Sequence, residues 1–262
     1  GFGGYAAAPA YRAARLEGLP LAIHEANARP GLANRLGARW TRHVGITYPG
    51  TRLPHAQLVG FPLRREIERL DRAASRAEGA REFGLDPHRP TLLVTGGSSG
   101  ARRINETVSA SVADLLGTGW QVLHLSGGLR EAIPDPGLPG YRIVGYTDRM
   151  DLAFAAADLA VSRAGSATVS ELAAIGLPAV FVPYPVGNGE QELNAAAAVR
   201  AGGARIVRDA DFTPEWVSGT LVSLLLDRAE VAAMAARMAA VGHRDGADRM
   251  VDLVLAALGS GR

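Results

Sequence analysis

Short apolar runs alternate with longer amphipathic stretches along most of the chain, from Leu21-Ala22-Ile23 near the start to Ala179–Val182 in the second half. Runs of this length are typical of buried parallel strands, and the stretches between them are typical of the helices that cover such strands. The pattern therefore predicts an α/β protein with parallel sheets. Strands are predicted at 20–24, 43–47, 57–59, 91–95, 121–125, 141–145, 179–182 and just before Arg163, and helices at 5–17, 31–39, 63–83, 101–115, 149–157, in the segment that Gly176 ends, and through the C-terminal third, which closes with 245–258.

Gly60-Phe61-Pro62 is the predicted boundary between two domains, because the residue before a proline disfavours helix. Each half contains a Gly-rich turn that leads into a helix, as expected of two nucleotide-binding folds that face a cleft. The predicted domains are 1–61, 62–243, and a terminal helix over 244–262 that packs back on the first domain.

Composition narrows the kinds of site that the chain can hold. There is no cysteine, which excludes disulfides, thiolate metal sites and a cysteine nucleophile. No apolar run approaches the ~18–20 residues needed to span a bilayer, so a soluble cytoplasmic protein is the default expectation.

Charge is spread unevenly. The net charge is +2 and all 28 basic residues are arginine, yet the first sixty residues hold seven arginines against only Glu17 and Glu25. This basic part could face an anionic membrane surface. Arginine-rich codon usage on a solvated face explains the same charge equally well. No aromatic residues interleave with the arginines to stack bases, so nucleic acid is not an expected partner.

The segment after the strand that precedes Arg163 is the most informative in the chain. A helix follows Gly165-Ser166, and the N–H groups of its first turn form a ready phosphate site. Glu171 lies about one turn further along, where its carboxylate can accept hydrogen bonds from a diol such as a ribose. The combination indicates a nucleotide. An ordinary βαβ unit, with Ser166 as a helix cap and Glu171 solvated, is the alternative.

Thr95–Ala101, TGGSSGA, is a second candidate phosphate loop, in which glycines allow close backbone approach and Ser98 offers a hydroxyl. It is not the P-loop motif, which argues against a P-loop NTPase. A dinucleotide dehydrogenase would place an acid at the end of the next strand, and His124–Gly128 has none.

Two further segments carry polar chemistry. Gln191 and Asn194 lie three residues apart at the start of a predicted helix, and their amides suit neutral sugar hydroxyls; a capping loop with solvated amides is the alternative. His24-Glu25 follows an apolar strand and is a candidate general base, against a structural histidine as the equal alternative. Asp209-Ala210-Asp211 is better explained as a loop before a helix capped by Thr213 than as a metal site.

Together these segments resemble the MurG family, the N-acetylglucosaminyltransferases that convert lipid I to lipid II in peptidoglycan synthesis. The resemblance covers essentially the whole chain. It rests on GFGGY at 1–5, HEANARPGLANR at 24–35, GFPLR at 60–64, TGGSSGARRIN at 95–105, SRAGSATVSELAAIGLPAVFVPYP at 162–185 and GNGEQELNA at 187–195. It implies a GT-B fold, two Rossmann-like domains around a cleft, with the N-terminal one incomplete in this chain.

The resemblance also implies roles for residues at matching positions. Glu25, with His24 and Asn34, is the catalytic candidate within this chain, and a histidine of the family's first Gly-rich loop is the equal alternative for the base. Tyr5, Asn27, Asn34 and Asn105 are expected on the acceptor side. The implied donor-binding residues are Arg64, Gly97, Ser98, Tyr146, Thr147, Arg163, Ser166, Ala167, Glu171, Glu190, Gln191 and Asn194. Family members often have two adjacent glutamines where this chain has Glu190-Gln191, which leaves the role of Glu190 open.

The reaction implied is an inverting transfer of GlcNAc from UDP-GlcNAc to the 4-hydroxyl of the MurNAc of lipid I, without a metal or other cofactor, at the cytoplasmic face of the membrane. The family's first Gly-rich loop would lie before Gly1, so the chain alone is expected to be inactive. The alternative is a non-catalytic UDP-sugar-binding protein. Other GT-B glycosyltransferases and UDP-GlcNAc epimerases should lack the HEANARPGLANR segment.

Overall fold

The chain folds into two units, each built around its own parallel sheet. The computed structural model describes residues 1–97, 101–128 and 133–259. One unit combines residues 1–64 with the C-terminal segment from His243, and the other comprises Arg65–Gly242. The first unit is therefore discontinuous in sequence, and the second is inserted into it.

The first unit opens with α1 (Ala7–Leu16), β1 (Ala22–Glu25), α2 (Leu32–Gly37), β2 (His43–Ile46) and β3 (Ala56–Leu58). The second contains α3 (Arg65–Glu68), α4 (Arg72–Glu82), β4 (Thr91–Thr95), α5 (Arg102–Ala110), α6 (Val112–Gly117), β5 (Gln121–Leu125), β6 (Tyr141–Val144), α7 (Met150–Ala156), β7 (Leu159–Ser162), α8 (Ser166–Ala174), β8 (Ala179–Phe181), α9 (Glu190–Arg200), β9 (Ala204–Ile206), α10 (Pro214–Trp216), α11 (Val222–Leu226) and α12 (Arg228–Ala239). The chain then returns to the first unit as α13 (Gly246–Gly259).

The sheet of the second unit has the doubly wound Rossmann order. Its strands run β6-β5-β4-β7-β8-β9, and all neighbouring pairs are parallel. The chain winds outward in one direction from β4 and in the other from β7. The crevice outside the carboxyl ends of these two strands is the place where open α/β sheets bind ligands.

The central strands confirm the prediction from apolar runs. β4 and β5 occupy 91–95 and 121–125, the predicted bounds, and every residue of both is buried. Two expectations for this unit are wrong. The predicted helix 101–115 is interrupted at Ser111, whose Oγ donates to the Thr107 carbonyl at 2.9 Å. The C-terminal third is not entirely helical, because β9 adds a sixth strand to the sheet.

The first unit is a three-stranded parallel sheet, ordered β1-β2-β3, with helix α13 packed on it. Val59, Met250 and Leu253 form one buried apolar cluster, so residues from both ends of the unit share a core. Gly45 lies beneath the helix, and a Cβ added there would stand 2.7 Å from Val59 Cγ2 and 3.2 Å from Leu253 Cδ2. The close approach of α13 to β2 therefore depends on a glycine at this position.

A buried polar network joins β5, β6 and α5. Asn105 Nδ2 donates to the Ser126 carbonyl at 2.9 Å, which fixes its amide so that Oδ1 accepts from His124 Nε2 at 3.0 Å. His124 Nδ1 then accepts from the Tyr141 hydroxyl. Burial lowers the pKa of His124 to about 4 and raises that of Tyr141 to about 12. Both groups are therefore neutral at pH 7, and the donor and the acceptor of each hydrogen bond in the network are fixed.

We expect stability to fall in acid because of His124. Its pKa in the folded chain is about 4, below the ordinary value, so between these values the unfolded chain binds a proton that the folded chain excludes. The contribution of neutral His124 to the free energy of unfolding is present above pH ~6.5 and is lost as the pH falls toward 4. The loss between pH 7 and pH 5 is about 2 kcal/mol. Urea unfolding at the two pH values should show this loss, and His124→Gln should reduce it. Exposed His88→Gln is the matched control, and an equal effect of both variants would contradict the assignment.

Candidate functional site

A cavity of about 730 Å³ opens at the carboxyl ends of β4 and β7. This is the point where the strand order reverses. Its walls come from the loop after β4, the first turns of α5 and α8, the loop after β8, and the turn after β9. The lining residues are Thr95, Gly96, Gly97, Ala101, Arg102, Arg103, Glu106, Ser162, Arg163, Gly165, Thr168, Tyr184, Pro185, Val186, Gln191 and Asp209.

Helix α8 directs its N-terminus at this cavity. Gly165 is the N-cap, in extended conformation, and Ser166 is the first helical residue, so the alternative with Ser166 as the cap is wrong. Ser166 is buried, Ala167 is exposed, and Thr168 lines the cavity. The N–H groups of this turn have no acceptor within the helix, and the positive end of the helix dipole lies beside them. The turn can hold an anion such as a diphosphate.

Glu171 lies on the second turn of α8 and is half-buried. It follows Thr168 by three residues and so shares a helix face with a residue of the cavity wall. The predicted ribose acceptor therefore stands next to the described cavity and outside its immediate lining.

Gln191, in the first turn of α9, joins two loops of the site. Its Oε1 accepts from the backbone N of Ala164 at 3.1 Å and from that of Tyr184 at 2.9 Å. In the described part of the chain, its Nε2 has no hydrogen-bond acceptor, so it can donate to a ligand in the cavity. The two residues predicted to act with Gln191 are not in the lining of the cavity. Glu190 N donates to Asn188 Oδ1, and Asn194 is buried, with Nδ2 3.4 Å from the Ala164 carbonyl.

The Gly-rich loop after β4 forms another part of the wall. Gly97 has φ of +83°, and its N donates to Thr95 Oγ1 at 3.2 Å. The predicted diphosphate serine, Ser98, lies outside the described residues. Sequence reasoning missed Arg102, Arg103 and Glu106 on α5, although their place just after a Gly-rich loop was a usable signal.

Arg163 links the segments that follow β7, β8 and β9. Its Nη1 donates to the carbonyls of Val182 at 3.0 Å and Pro183 at 3.1 Å, and it forms an ion pair with Asp209. Its guanidinium also lies 5.6 Å from the centre of the Tyr184 ring. The side chain is thus one wall of the cavity and a link between the ends of β7 and β8.

Three other predicted donor residues lie elsewhere. Tyr146 is 62% exposed in the loop after β6, and Thr147 Oγ1 accepts from Arg149 N at 3.0 Å in the same loop. Arg64 is exposed at the end of the first unit. None of the three is in the lining of the described cavity.

In the first unit, Glu25 and Asn34 form a buried hydrogen-bond hub. Glu25 Oε1 accepts from Asn27 N at 2.9 Å, and its Oε2 accepts from Gly31 N at 3.0 Å and Asn34 Nδ2 at 2.9 Å. Asn34 also accepts from the Tyr11 hydroxyl at 2.8 Å and donates to the His24 carbonyl at 3.1 Å. The carboxylate of Glu25 therefore holds the loop that follows β1.

The remaining candidates have distinct surroundings. His24 is buried and its Nε2 donates to the Gly60 carbonyl at 2.8 Å; burial lowers its pKa. Tyr5 is fully exposed, and Asn27 is half-buried. Asn105 belongs to the buried His124 network of the second unit.

The Asp209–Asp211 segment forms a single 3₁₀ turn. Asp209 pairs with Arg163 and Asp211 with Arg208. Thr213 then caps α10, accepting from Trp216 N at 3.3 Å with Pro214 at the first helical position, as predicted. Across the ranges that the structure describes, no three His, Asp or Glu side chains are placed to hold a metal ion.

Both units match known domains. Residues 91–250 match the C-terminal domain of glycosyltransferase family 28, and residues 1–46 match the N-terminal domain of the same family. The first match covers the sheet and cavity of the second unit.

Relatives and solved structures agree with these matches. The UDP-N-acetylglucosamine--N-acetylmuramyl-(pentapeptide) pyrophosphoryl-undecaprenol N-acetylglucosamine transferase of Leifsonia xyli subsp. xyli is 63% identical over 97% of this chain and 71% of its own length. The enzyme of the same name from Streptomyces coelicolor is 50% identical over 98% of this chain and 72% of its own length. The crystal structure of Acinetobacter baumannii MurG superposes with a TM-score of 0.80 at 29% identity, over 98% of this chain and 72% of that one.

A more distant structure, the calicheamicin glycosyltransferase CalG4, shares the fold at 20% identity, with a TM-score of 0.57 over 83% of this chain and 54% of that one. The expected GT-B fold is confirmed. The chain belongs to glycosyltransferase family 28 and, within it, to the MurG family of N-acetylglucosamine transferases.

Proposed function

We propose that the chain, when the family's first Gly-rich loop is supplied, transfers GlcNAc from UDP-GlcNAc to the 4-hydroxyl of the MurNAc of undecaprenyl-linked lipid I, giving lipid II. The names of its relatives supply the donor sugar and the acceptor class. The observation that carries the proposal is the cavity at the strand-order reversal, where the N-terminus of α8 and the amide of Gln191 meet. Membership of a transferase family favours this enzyme over a non-catalytic UDP-sugar-binding protein.

We place the diphosphate and the sugar of the donor in the cavity, with the nucleoside extending beyond its lining. The diphosphate lies at the first turn of α8, beside Gly97, and the ribose diol reaches Glu171. The uracil contacts the backbone around Tyr146 and Thr147. The GlcNAc extends toward Gln191, whose Nε2 donates to a sugar hydroxyl. Each contact pairs a ligand group with protein chemistry that suits it: anion with N–H groups, diol with carboxylate, hydroxyl with amide.

The transfer is a single displacement with inversion at the anomeric carbon. The acceptor hydroxyl attacks, the bond to the diphosphate breaks, and negative charge grows on the departing UDP. The dipole of α8 and the N–H groups of its first turn stabilise that charge. Because these groups are already in place, little reorganisation accompanies the reaction.

The acceptor is handled by the first unit. Glu25 and Asn34 hold the loop after β1, and Asn27 is the first residue of that loop bonded to the Glu25 carboxylate. The attacking hydroxyl must lose a proton, and the region around Glu25 is our candidate for receiving it.

We further propose that the first unit docks on the anionic cytoplasmic surface of the cell membrane. Leu16 and Leu19 are 74% and 60% exposed, and the exposed Arg12, Arg15, Arg39 and Arg42 belong to the same unit. Apolar side chains flanked by arginines suit an anionic lipid surface. Within residues 1–97, 101–128 and 133–259, no helix combines the length and apolarity that crossing a membrane requires.

Calorimetric titration tests the donor assignment. We expect saturable binding of UDP-GlcNAc and weaker or no binding of UDP-GalNAc and ADP-glucose, because Gln191 reads the sugar and the loop after β6 reads the base. Equal binding of all three nucleotide sugars would contradict the assigned contacts. Absence of binding by folded protein would contradict the donor site itself.

A further inference from the structure

Asp209 is a carboxylate of the cavity wall that lies beside two arginines. It lies in the turn after β9, and its side chain is only 15% exposed. Its Oδ1 pairs with Arg163 Nη1, and its Oδ2 lies 3.9 Å from Arg103 Nε. The carboxylate therefore stands between two arginines that line the same cavity.

Arg163 connects Asp209 to the backbone at the end of β8. The same Nη1 that pairs with Asp209 donates to the carbonyls of Val182 and Pro183. These residues directly precede Tyr184, whose ring lies against the guanidinium. The side chain of Arg163 is only 13% exposed, so loss of its paired carboxylate would leave a largely buried cation without its counter-charge.

The two backbone groups that hold Gln191 adjoin this link. Ala164 follows Arg163 and Tyr184 follows Pro183, and the N–H groups of both donate to Gln191 Oε1. Rotating the amide by 180° would place its NH₂ against two donors, at the cost of both hydrogen bonds. Gln191 is therefore fixed in the orientation that turns Nε2 to the cavity, as long as these two N–H groups stay in place.

We propose that Asp209 is a positioning residue for recognition of the donor sugar. It holds Arg163, Arg163 holds the ends of β7 and β8, and these ends hold the amide of Gln191. The inference rests on the proposed function, since it takes Gln191 as the reader of a sugar hydroxyl. It predicts that Asp209 affects the sugar-dependent part of donor affinity and not the diphosphate contacts at α8.

Titration of Asp209→Asn with UDP and with UDP-GlcNAc separates these two parts. We expect UDP-GlcNAc affinity to fall about tenfold, the effect of a charge-assisted hydrogen bond, while UDP affinity changes less than about twofold. Discrimination against UDP-GalNAc should fall with it. Asp211→Asn is the matched control, because Asp211 belongs to the same turn and pairs with the exposed Arg208. Unchanged UDP affinity also shows that the variant is folded.

A double-mutant cycle with Gln191→Ala then tests whether Asp209 acts through Gln191. If Asp209 acts through Gln191, adding Asp209→Asn to Gln191→Ala should cost little further UDP-GlcNAc affinity. Asp209→Glu, which keeps the charge, should restore part of the loss.

Three results would overturn the inference. They are an Asp209→Asn variant with unaltered UDP-GlcNAc affinity, equal losses for UDP and UDP-GlcNAc, or additive effects of the two substitutions. Failure of the unsubstituted chain to bind UDP-GlcNAc would instead overturn the proposed function, and the inference with it.

Discussion

Glu25→Gln is expected to lower the rate of lipid II formation about 100-fold or more, with donor affinity almost unchanged. The carboxylate accepts three hydrogen bonds, from Asn27 N, Gly31 N and Asn34 Nδ2. A glutamine must present its NH₂ to at least one of these donors, which leaves a buried N–H without an acceptor. The loop after β1 then loses its fixed shape, and any role of Glu25 in accepting a proton is lost too.

The measurement compares turnover and UDP-GlcNAc affinity before and after substitution, in protein that forms lipid II before substitution. Exposed Glu17→Gln, in the same unit, is the control for the loss of one charge. The pH dependence separates two roles, because loss of a general base removes the acid limb of the rate profile and loss of loop order does not. Unchanged turnover would remove Glu25 from the mechanism.

Glu171→Ala is expected to weaken UDP and UDP-GlcNAc to the same extent, about 10- to 100-fold. A carboxylate that accepts hydrogen bonds from a diol contributes about 1.5–3 kcal/mol, and both ligands carry the ribose. Equal losses therefore identify a nucleoside contact, in contrast to the sugar-specific loss expected for Asp209.

Calorimetry with both ligands makes the comparison. Glu192→Ala is the matched control, since Glu192 is exposed on the first turn of α9. Retention of full UDP affinity by Glu171→Ala would show that the ribose is held elsewhere.

The parts of the fold that follow from local patterns were predictable from the sequence. β4 and β5 are buried on both faces and so appear as continuous apolar runs. β9 has only three residues, with Arg205 at its centre, and its place in the sheet comes from pairing with β8. Such a strand carries no periodicity of its own. The break at Ser111 depends on one hydroxyl bonded to the preceding turn, a choice that helix propensity does not determine.

The candidate site also has features that follow from local sequence and features that depend on the folded sheet. The glycines and the start of α8 predict a phosphate site from the sequence because their chemistry is local. The partnership of Arg163 with Asp209 spans 46 residues and exists only once β7, β8 and β9 lie side by side. Likewise, the motif around His24 identified Asn34 but gave no sign of its bond to Tyr11.

The insertion of the second unit into the first sets an order of events during synthesis. Val59, which directly follows β3, must wait for Met250 and Leu253 before their shared cluster can close. At ~5–20 residues per second, a ribosome needs roughly ten to forty seconds to make the segment between them. The Rossmann unit that it encodes can fold in that interval. Nascent chains halted before α13 should therefore expose the β1-β2-β3 sheet to proteases and chaperones while the nucleotide-binding unit is already protected.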